Sequence, residues 1–314
     1  MVLLLQYTII FASVLLLVAL GGCFAERSGV INIGLEGTMV IGALGGALVM
    51  KFLPLSVGAP VMIICVILAA MLSGLLYSLL LAVAAITFKA DQTITGTAMN
   101  LLATAGATVG VKAMNTISSG GSNVSSEISY IDAKAMFIVR LGNFEFNWFM
   151  LVAVIALVVS FIVLYKTRFG LRLRACGEHP QAADSVGINV YKMRYAGTLI
   201  SGLLGGLGGI VFITAGVSIW KFEYGVAGFG FLAMAVMIFG AWHPMKIAAA
   251  AVLFGFFRAL GNVYSGISFM AAINIPSAVY NMLPYIVSLV VLALTSKKSR
   301  APKAEGIPYD KGQR

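Results

Sequence analysis

Charge is what this chain has least of. Asp, Glu, Lys and Arg make up 10% of its 314 residues, against about 25% in an ordinary soluble protein. With 60% hydrophobic residues and a mean hydropathy of +1.00, a water-soluble globule is excluded, and the chain reads as a polytopic membrane protein. Histidine is nearly absent: His179 and His243 stand far apart, and neither HExxH nor paired cysteines supply metal-binding spacing. No GxxxxGK[ST] loop occurs, so the chain has no such site for ATP. Cys23, Cys65 and Cys176 fall in membrane or cytoplasmic positions and imply no disulfide framework. This inventory argues for a transport or structural role and against an enzyme, with no metal or cofactor in the chain itself.

What is present is apolar sequence in long runs. Met1–Ala25, Phe52–Phe88, Gln92–Val111, Phe146–Tyr165, Tyr195–Trp220, Tyr224–Pro244 and Ala259–Ser296 are uncharged, and a bilayer takes about 20 such residues. Phe52–Phe88 and Ala259–Ser296 exceed one simple span, and each carries two prolines that permit breaks or interfacial pieces. The expectation is an all-α fold of about nine hydrophobic segments with a discontinuous second span. Met1–Cys23 ends in LGGC, which looks like a lipoprotein cleavage box. A signal peptide opens with positive charge, and no Lys or Arg precedes Arg27, so the segment is read as a retained first span.

The net charge of +10 is distributed as in membrane proteins, beside the apolar segments. Basic residues concentrate at Lys166–Arg194 and Lys297–Arg314, which the positive-inside rule places in the cytoplasm. Counting back from Lys166 puts the polar loop Ser118–Glu145 outside, Lys89 inside, Lys51 outside and Arg27 inside. Fifteen of the 21 Lys and Arg then lie inside, five outside, and Arg258 within a span. The domain plan is a transmembrane domain over 1–296, with an external loop at 118–145 and a cytoplasmic loop at 166–194, and a basic cytoplasmic tail at 297–314. Small residues recur four apart, as in Gly42 and Gly46 or Gly202 and Gly206, a spacing that lets membrane helices pack closely.

Ionisable groups inside a bilayer are costly and mark function or a buried partner. In ERSGVINIGLEGTM, Glu26 and Arg27 fall at the inner surface, whereas Glu36 lies nine residues on, roughly 14 Å deep if the helix is continuous. Arg258 stands twelve residues beyond Lys246, roughly 18 Å deep. Matching depth allows Glu36 and Arg258 to pair or to line one polar cavity; it also allows Glu36 to accept backbone hydrogen bonds at a helix break while Arg258 snorkels. Gly29, Gly34 and Gly37 around Asn32 and Glu36 fit a discontinuous helix on a permeation pathway. Asn100, in the next polar-flecked span, fits an interhelical hydrogen bond or a solute contact. Trp220, Phe222, Tyr224 and Phe229 are candidate stacking surfaces for a base, and also candidate interface anchors.

The cytoplasmic loop reads TRFGLRLRACGEHPQAADSVGINVYKMRY. Pro180 opens a short helix after His179, and Gly187 ends it, leaving Ala182 and Ala183 exposed to dock into a partner, or the helix to lie on the lipid surface drawn by Arg168, Arg172 and Arg174. ERSGVINIGLEG, Asn100, and GEHPQAADSVGI ahead of SGLLGGLGG together resemble the permease subunits of bacterial ABC importers for simple sugars and nucleosides, most closely the nucleoside branch that works with lipoprotein receptors of the basic membrane protein type. The likeness covers essentially the whole hydrophobic chain. It implies the ABC importer permease fold, a bacterial inner-membrane location, and a partnership with a second, similar permease, a cytoplasmic ATPase that holds ATP and magnesium, and an external receptor. It implies that Glu178, Ala182, Ala183, Gly187 and Ile188 correspond to the loop that contacts the ATPase, although this chain has AAD where the family motif has EAA. It implies that Asn32 and Glu36 border the translocation pathway. The rival expectations are the same role for a simple sugar, and an ion-coupled secondary transporter.

Overall fold

The structure, a computed structural model, describes residues 2–142, 144–216, 220–264, 277–295 and 301–312. Parts of five features marked out above therefore lie outside the described residues: 1 of the first apolar run, 143 of the 118–145 loop, 217–219 of the run ending at Trp220, 265–276 and 296 of the last apolar run, and 297–300 and 313–314 of the tail. The chain forms α1 (Val2–Arg27), α2 (Leu35–Phe52), α3 (Ala59–Ala82), α4 (Gln92–Ser118), α5 (Ile131–Ala135), β1 (Ile138–Leu141), β2 (Phe144–Asn147), α6 (Trp148–Lys166), α7 (Arg168–Glu178), α8 (Pro180–Ser185), α9 (Val190–Val211), α10 (Phe229–Phe239), α11 (Pro244–Val263) and α12 (Ser277–Thr295). Among the described residues seven helices are long and apolar enough to cross a membrane: α1, α2, α3 prolonged by a π turn to Thr87, α4, α6, α9 prolonged to Ala215, and α11. The shorter α10 and the apolar α12 bring the apolar helices to nine, in keeping with the expected count.

The over-long run after Phe52 resolves as its prolines require. Pro54 leads into a single 3₁₀ turn, Leu55–Val57; Gly58 turns the chain at φ +82°, and Pro60 sits in the first turn of α3, where a missing N–H costs nothing. From Ala59 to Thr87 the helix is 29 residues long, about 43 Å, so it must tilt to fit a hydrocarbon core of about 30 Å. Its exposed stripe, Ile64, Leu68, Leu72 and Leu76, recurs every fourth residue along one side of the helix.

The centre of the bundle is α1. Val14, Leu15, Leu17, Val18, Ala19 and Leu20 are wholly buried, with α9 packed on one side, α11 on another, and α10 and α6 closing around it. Beside it, α2, α3 and α9 come together through glycine. A Cβ added to Gly42 would fall on the Gly206 backbone, one on Gly74 would strike the Gly202 carbonyl, and one on Gly209 the Met39 carbonyl. The four-residue glycine spacing thus serves close helix contact within this bundle.

One departure from an all-helical plan lies in the loop between α4 and α6. β1 and β2 form an antiparallel hairpin, with Arg140 opposite Glu145 at 3.4 Å and Gly142 at φ +62° in the turn. The alternating Phe144, Glu145, Phe146 is its sequence signal, too short to stand out beside the helical runs.

Contacts between them sort the loops onto two faces. On one, Arg27 meets Glu178, Lys89 meets Asp310, and Arg194 donates to the Ile307 carbonyl. On the other, Lys51 donates to Asn115, Lys112 meets Glu223, and Phe222 bonds to Ser126. The grouping of Arg27, Lys89, the 166–194 loop and the tail together, away from Lys51 and the 118–145 loop, is the grouping that charge counting assigns.

Candidate functional site

The site begins where α1 stops. Gly29 takes φ +96°, its N–H donates to the Glu26 carbonyl, and the Val30 N–H reaches back to Ala25, which is the Schellman arrangement that ends a helix. The following residues to Gly34 are not helical, and α2 starts at Leu35. Their backbone is satisfied from elsewhere: the Ile31 N–H donates to Gln92 Oε1 at 2.7 Å, and Asn100 Nδ2 donates to the Ile33 carbonyl at 3.0 Å. Asn100 Oδ1 also accepts from the Gly37 N–H at 2.7 Å. This one amide therefore clamps both sides of the break onto α4, each bond adding about 1 kcal/mol. Asn32 is buried in the break; its Nδ2 donates to Ser201 Oγ at 2.9 Å, and its Oδ1 has no partner among the described residues.

Depth counting from Arg27 is corrected here, because it assumes continuous helix across residues that form none. Counted instead from Lys51 along α2, Glu36 lies fifteen residues in, roughly 22 Å, still well inside the membrane. Its carboxylate reaches neither Arg258 nor the glycines of its own break. Oε1 accepts from the Gly228 N–H at 2.8 Å and Oε2 from the Gly230 N–H at 2.7 Å. A carboxylate placed on the exposed N–H groups at the start of α10 satisfies donors the helix cannot, and opposes its dipole. Gly228, at φ +79°, supplies the left-handed turn into α10, and a Cβ on Gly230 would come within 2.5 Å of the Glu36 nitrogen.

Among the described residues no ion pair joins Glu36 and Arg258, and both Glu36 oxygens accept from backbone N–H groups. Arg258 instead lies over the rings of Phe229, 5.4 Å from its centroid, and Phe11, at 5.9 Å. Phe229 is the residue between the two N–H donors, so Glu36 and Arg258 both meet the start of α10. The four aromatics also separate: Phe222 and Phe229 are buried in the core, Trp220 is half-buried with its indole N–H on the Gly225 carbonyl, and Tyr224 is exposed. Burial removes Phe222 and Phe229 as open stacking surfaces. On the hairpin face a cavity of about 440 Å³ is lined by Gln6, Tyr7, Lys134, Asn147, Thr214 and Asn262 among others, a size within the range of small-molecule sites.

At the other face, α8 runs from Pro180 to Ser185 with His179 as its cap, and Gly187 closes it at φ +84°. Ala182, Val186 and Gly187 are exposed and Ile188 is half-buried, whereas Ala183 is buried against Cys176, Val190 and Tyr309. The expectation that both alanines are exposed is thus corrected: successive helical residues point about 100° apart, and Ala183 takes the inward face. Glu178 pairs with Arg27 at 3.7 Å. Burial pushes the Cys176 thiol up to about 11, which leaves it unreactive. His243, held below its ordinary pKa by burial and by Lys246 and Arg27, packs on the Tyr165 ring in a structural role.

Several participants escape sequence reasoning. Gly228 and Gly230 stand in AGFGF, whose glycines hint at a special backbone but do not point to Glu36. Gln92 and Ser201 become partners of the break through tertiary contact alone. Arg194, 1% exposed, looks like one more loop cation.

Residues 4–293 match the family described as branched-chain amino acid transport system / permease component. The guanosine ABC transporter permease protein NupQ of Bacillus subtilis is 42% identical over 98% of this chain and 96% of its own length. The nucleoside ABC transporter permease protein NupC of Lactococcus lactis is 38% identical over 97% and 96%. A second permease protein of that organism, NupB, is 24% identical over 96% of this chain and 83% of its own. No solved structure matches significantly. A helical bundle with seven candidate spans, matched along nearly its whole length, belongs to this family of multi-pass permease components of ABC transport systems.

Proposed function

We propose that the chain is the membrane-spanning subunit through which an ATP-driven importer passes nucleosides, guanosine among them. The observation that carries this is the full-length 42% identity to a guanosine permease, beside 38% identity to a nucleoside permease. Hydrolysis belongs to a separate cytoplasmic ATPase, and selection to an external lipoprotein receptor. NupC and NupB of one organism both match, which supports assembly with a paralogous permease as a heterodimer.

In this reading the face bearing α7, α8, Lys89 and the C-terminal segment is cytoplasmic. Ala182, Gly187 and Ile188 are offered to the ATPase, with Ala183 and Glu178 holding α8 in place from behind. Asn32, Glu36, Asn100 and Arg258 govern the pathway by holding the break and the start of α10, the places where backbone rearranges without melting a helix. Alternating access is then movement of α8 carried into these elements.

The test is uptake of radiolabelled guanosine by cells lacking this chain and then supplied with it. Uptake should return, fall under competition by unlabelled nucleosides and not by glucose, and disappear when residues 182–188 are replaced by a Gly/Ser linker. Restored glucose uptake without guanosine uptake would overturn the substrate, and unimpaired ATP-dependent uptake by the linker variant would overturn the coupling role.

A further inference from the structure

The C-terminal segment has the composition of a solvated basic tail and the structure of a packed element. Ala304 and Tyr309 are 7% and 5% exposed. The Ala304 N–H donates to the Gly177 carbonyl at 2.8 Å, at the end of α7, and the Gly306 N–H to the Gly29 carbonyl at 3.3 Å. Gly306 takes φ +74°, and a Cβ there would stand 2.7 Å from Ile31 Cδ1. The buried Arg194 guanidinium of α9 donates to the Ile307 carbonyl at 2.8 Å. Tyr309 closes the small core of Cys176, Ala183 and Val190 under α8, with its ring 5.4 Å from that of Tyr191. Asp310 anchors the end on Lys89 at 2.7 Å.

These contacts bridge two places that the end of α7 also brings near each other, through Glu178 on Arg27 and Gly177 against Gly29. One is the inward face of α8, through Ala183; the other is the break itself, through Gly29 and Ile31. Ordering a segment with neither helix nor strand is entropically unfavourable, and here the offset comes from one buried ring, the Arg194 hydrogen bond to Ile307 and a run of backbone hydrogen bonds. A tail lying on lipid would leave Tyr309 and Ala304 uncovered. The break is also where a push is absorbed most readily, because its hydrogen bonds go to side chains of other helices rather than along a helix of its own.

We propose that Ala301–Gly312 is a transmission strap, which ties α8 to the break between α1 and α2 so that displacement of α8 by the ATPase reaches Asn32 and Glu36. Tyr309, Gly306 and Arg194 are its positioning residues. The inference rests on the reading of α8 as the ATPase contact.

The test uses the full importer, co-expressed and reconstituted in vesicles, and measures guanosine taken up per ATP hydrolysed. A chain ending before Ala301, Tyr309→Ala and Gly306→Val should each copurify with the ATPase and keep its basal hydrolysis within about twofold, while uptake per ATP falls about tenfold or more; Tyr309→Phe should restore it. An unchanged ratio overturns the strap, as does a rise on truncation, which would mark a plug. Loss of ATPase copurification in all three variants also overturns it, reducing the segment to a folding element. Ala182→Trp, on the exposed face of α8, tests the parent reading separately: retained ATPase copurification sinks that reading, whereas its loss alongside an unchanged ratio in the strap variants sinks the strap alone.

Discussion

Glu36 illustrates how one side chain serves two helices. It stands in the first turn of α2 and receives both N–H groups that flank Phe229. Glutamine in its place keeps the size but presents one acceptor and one amino group, so a buried donor would face a donor. Leaving such a group unsatisfied costs about 1–3 kcal/mol. Glu36→Gln should therefore lower guanosine uptake roughly tenfold or more, whereas Arg258→Gln, which loses ring contacts, should lower it less; equal effects would argue against the cap. Glu305 makes a different use of a carboxyl. It hydrogen-bonds to Glu26, whose Oε2 also accepts from the Trp242 indole at 2.6 Å, and burial raises Glu305 above its ordinary pKa although Glu26 and Arg27 oppose the rise. An acid raised on docking favours the docked state at low pH. That contribution is complete below the ordinary value of about 4.3 and is lost as pH rises through the raised one. Trypsin cleavage at Lys303 and Lys311, normalised to a control substrate at each pH, should therefore quicken as pH rises above the ordinary carboxyl range in the native chain, and less steeply in Glu305→Gln. Identical slopes would remove Glu305 from the strap.

The elements hold together through how near they come. Where α2, α3 and α9 meet, Gly206 touches both neighbours, and a Cβ there would strike the Ala70 carbonyl. Backbone cannot yield as a side chain tip can, so overpacking of about 1–3 kcal/mol is expected. Gly206→Ala should lower the melting temperature of the detergent-solubilised chain and the folded fraction on size exclusion. Gly110→Ala, on α4 with nothing within 4 Å, should change neither. The two glycines look alike in sequence; an intact Gly206→Ala chain would show that α9 has room to retreat.

At the scale of the whole molecule, sequence reasoning reads best what lipid imposes. Apolar run length returns the helices, and the placement of Lys and Arg returns the two faces, because both follow from the cost of charge in hydrocarbon. It reads least well what tertiary contact decides. Residues 28–34 leave the helix because Gln92 and Asn100 are there to receive their backbone, and without that knowledge a helical depth for Glu36 is the natural error. The C-terminal segment carries Lys303 and Lys311 outward and hides Ala304 and Tyr309, and only the grooves made by Gly29, Gly177 and Tyr191 reveal which residues matter. The hairpin at 138–147 is too short to register against the spans.

The arrangement around α1 bears on how such a chain is made. It is more apolar than α2 or α9, and it precedes both in chain order. A helix apolar on every side rests in lipid without a partner, while α2 and α9 bring Glu36, Asn32 beside them, and rows of glycine that gain little from lipid. The first span can wait alone in the bilayer during synthesis as a post, and the later, more polar helices are received against it as they emerge.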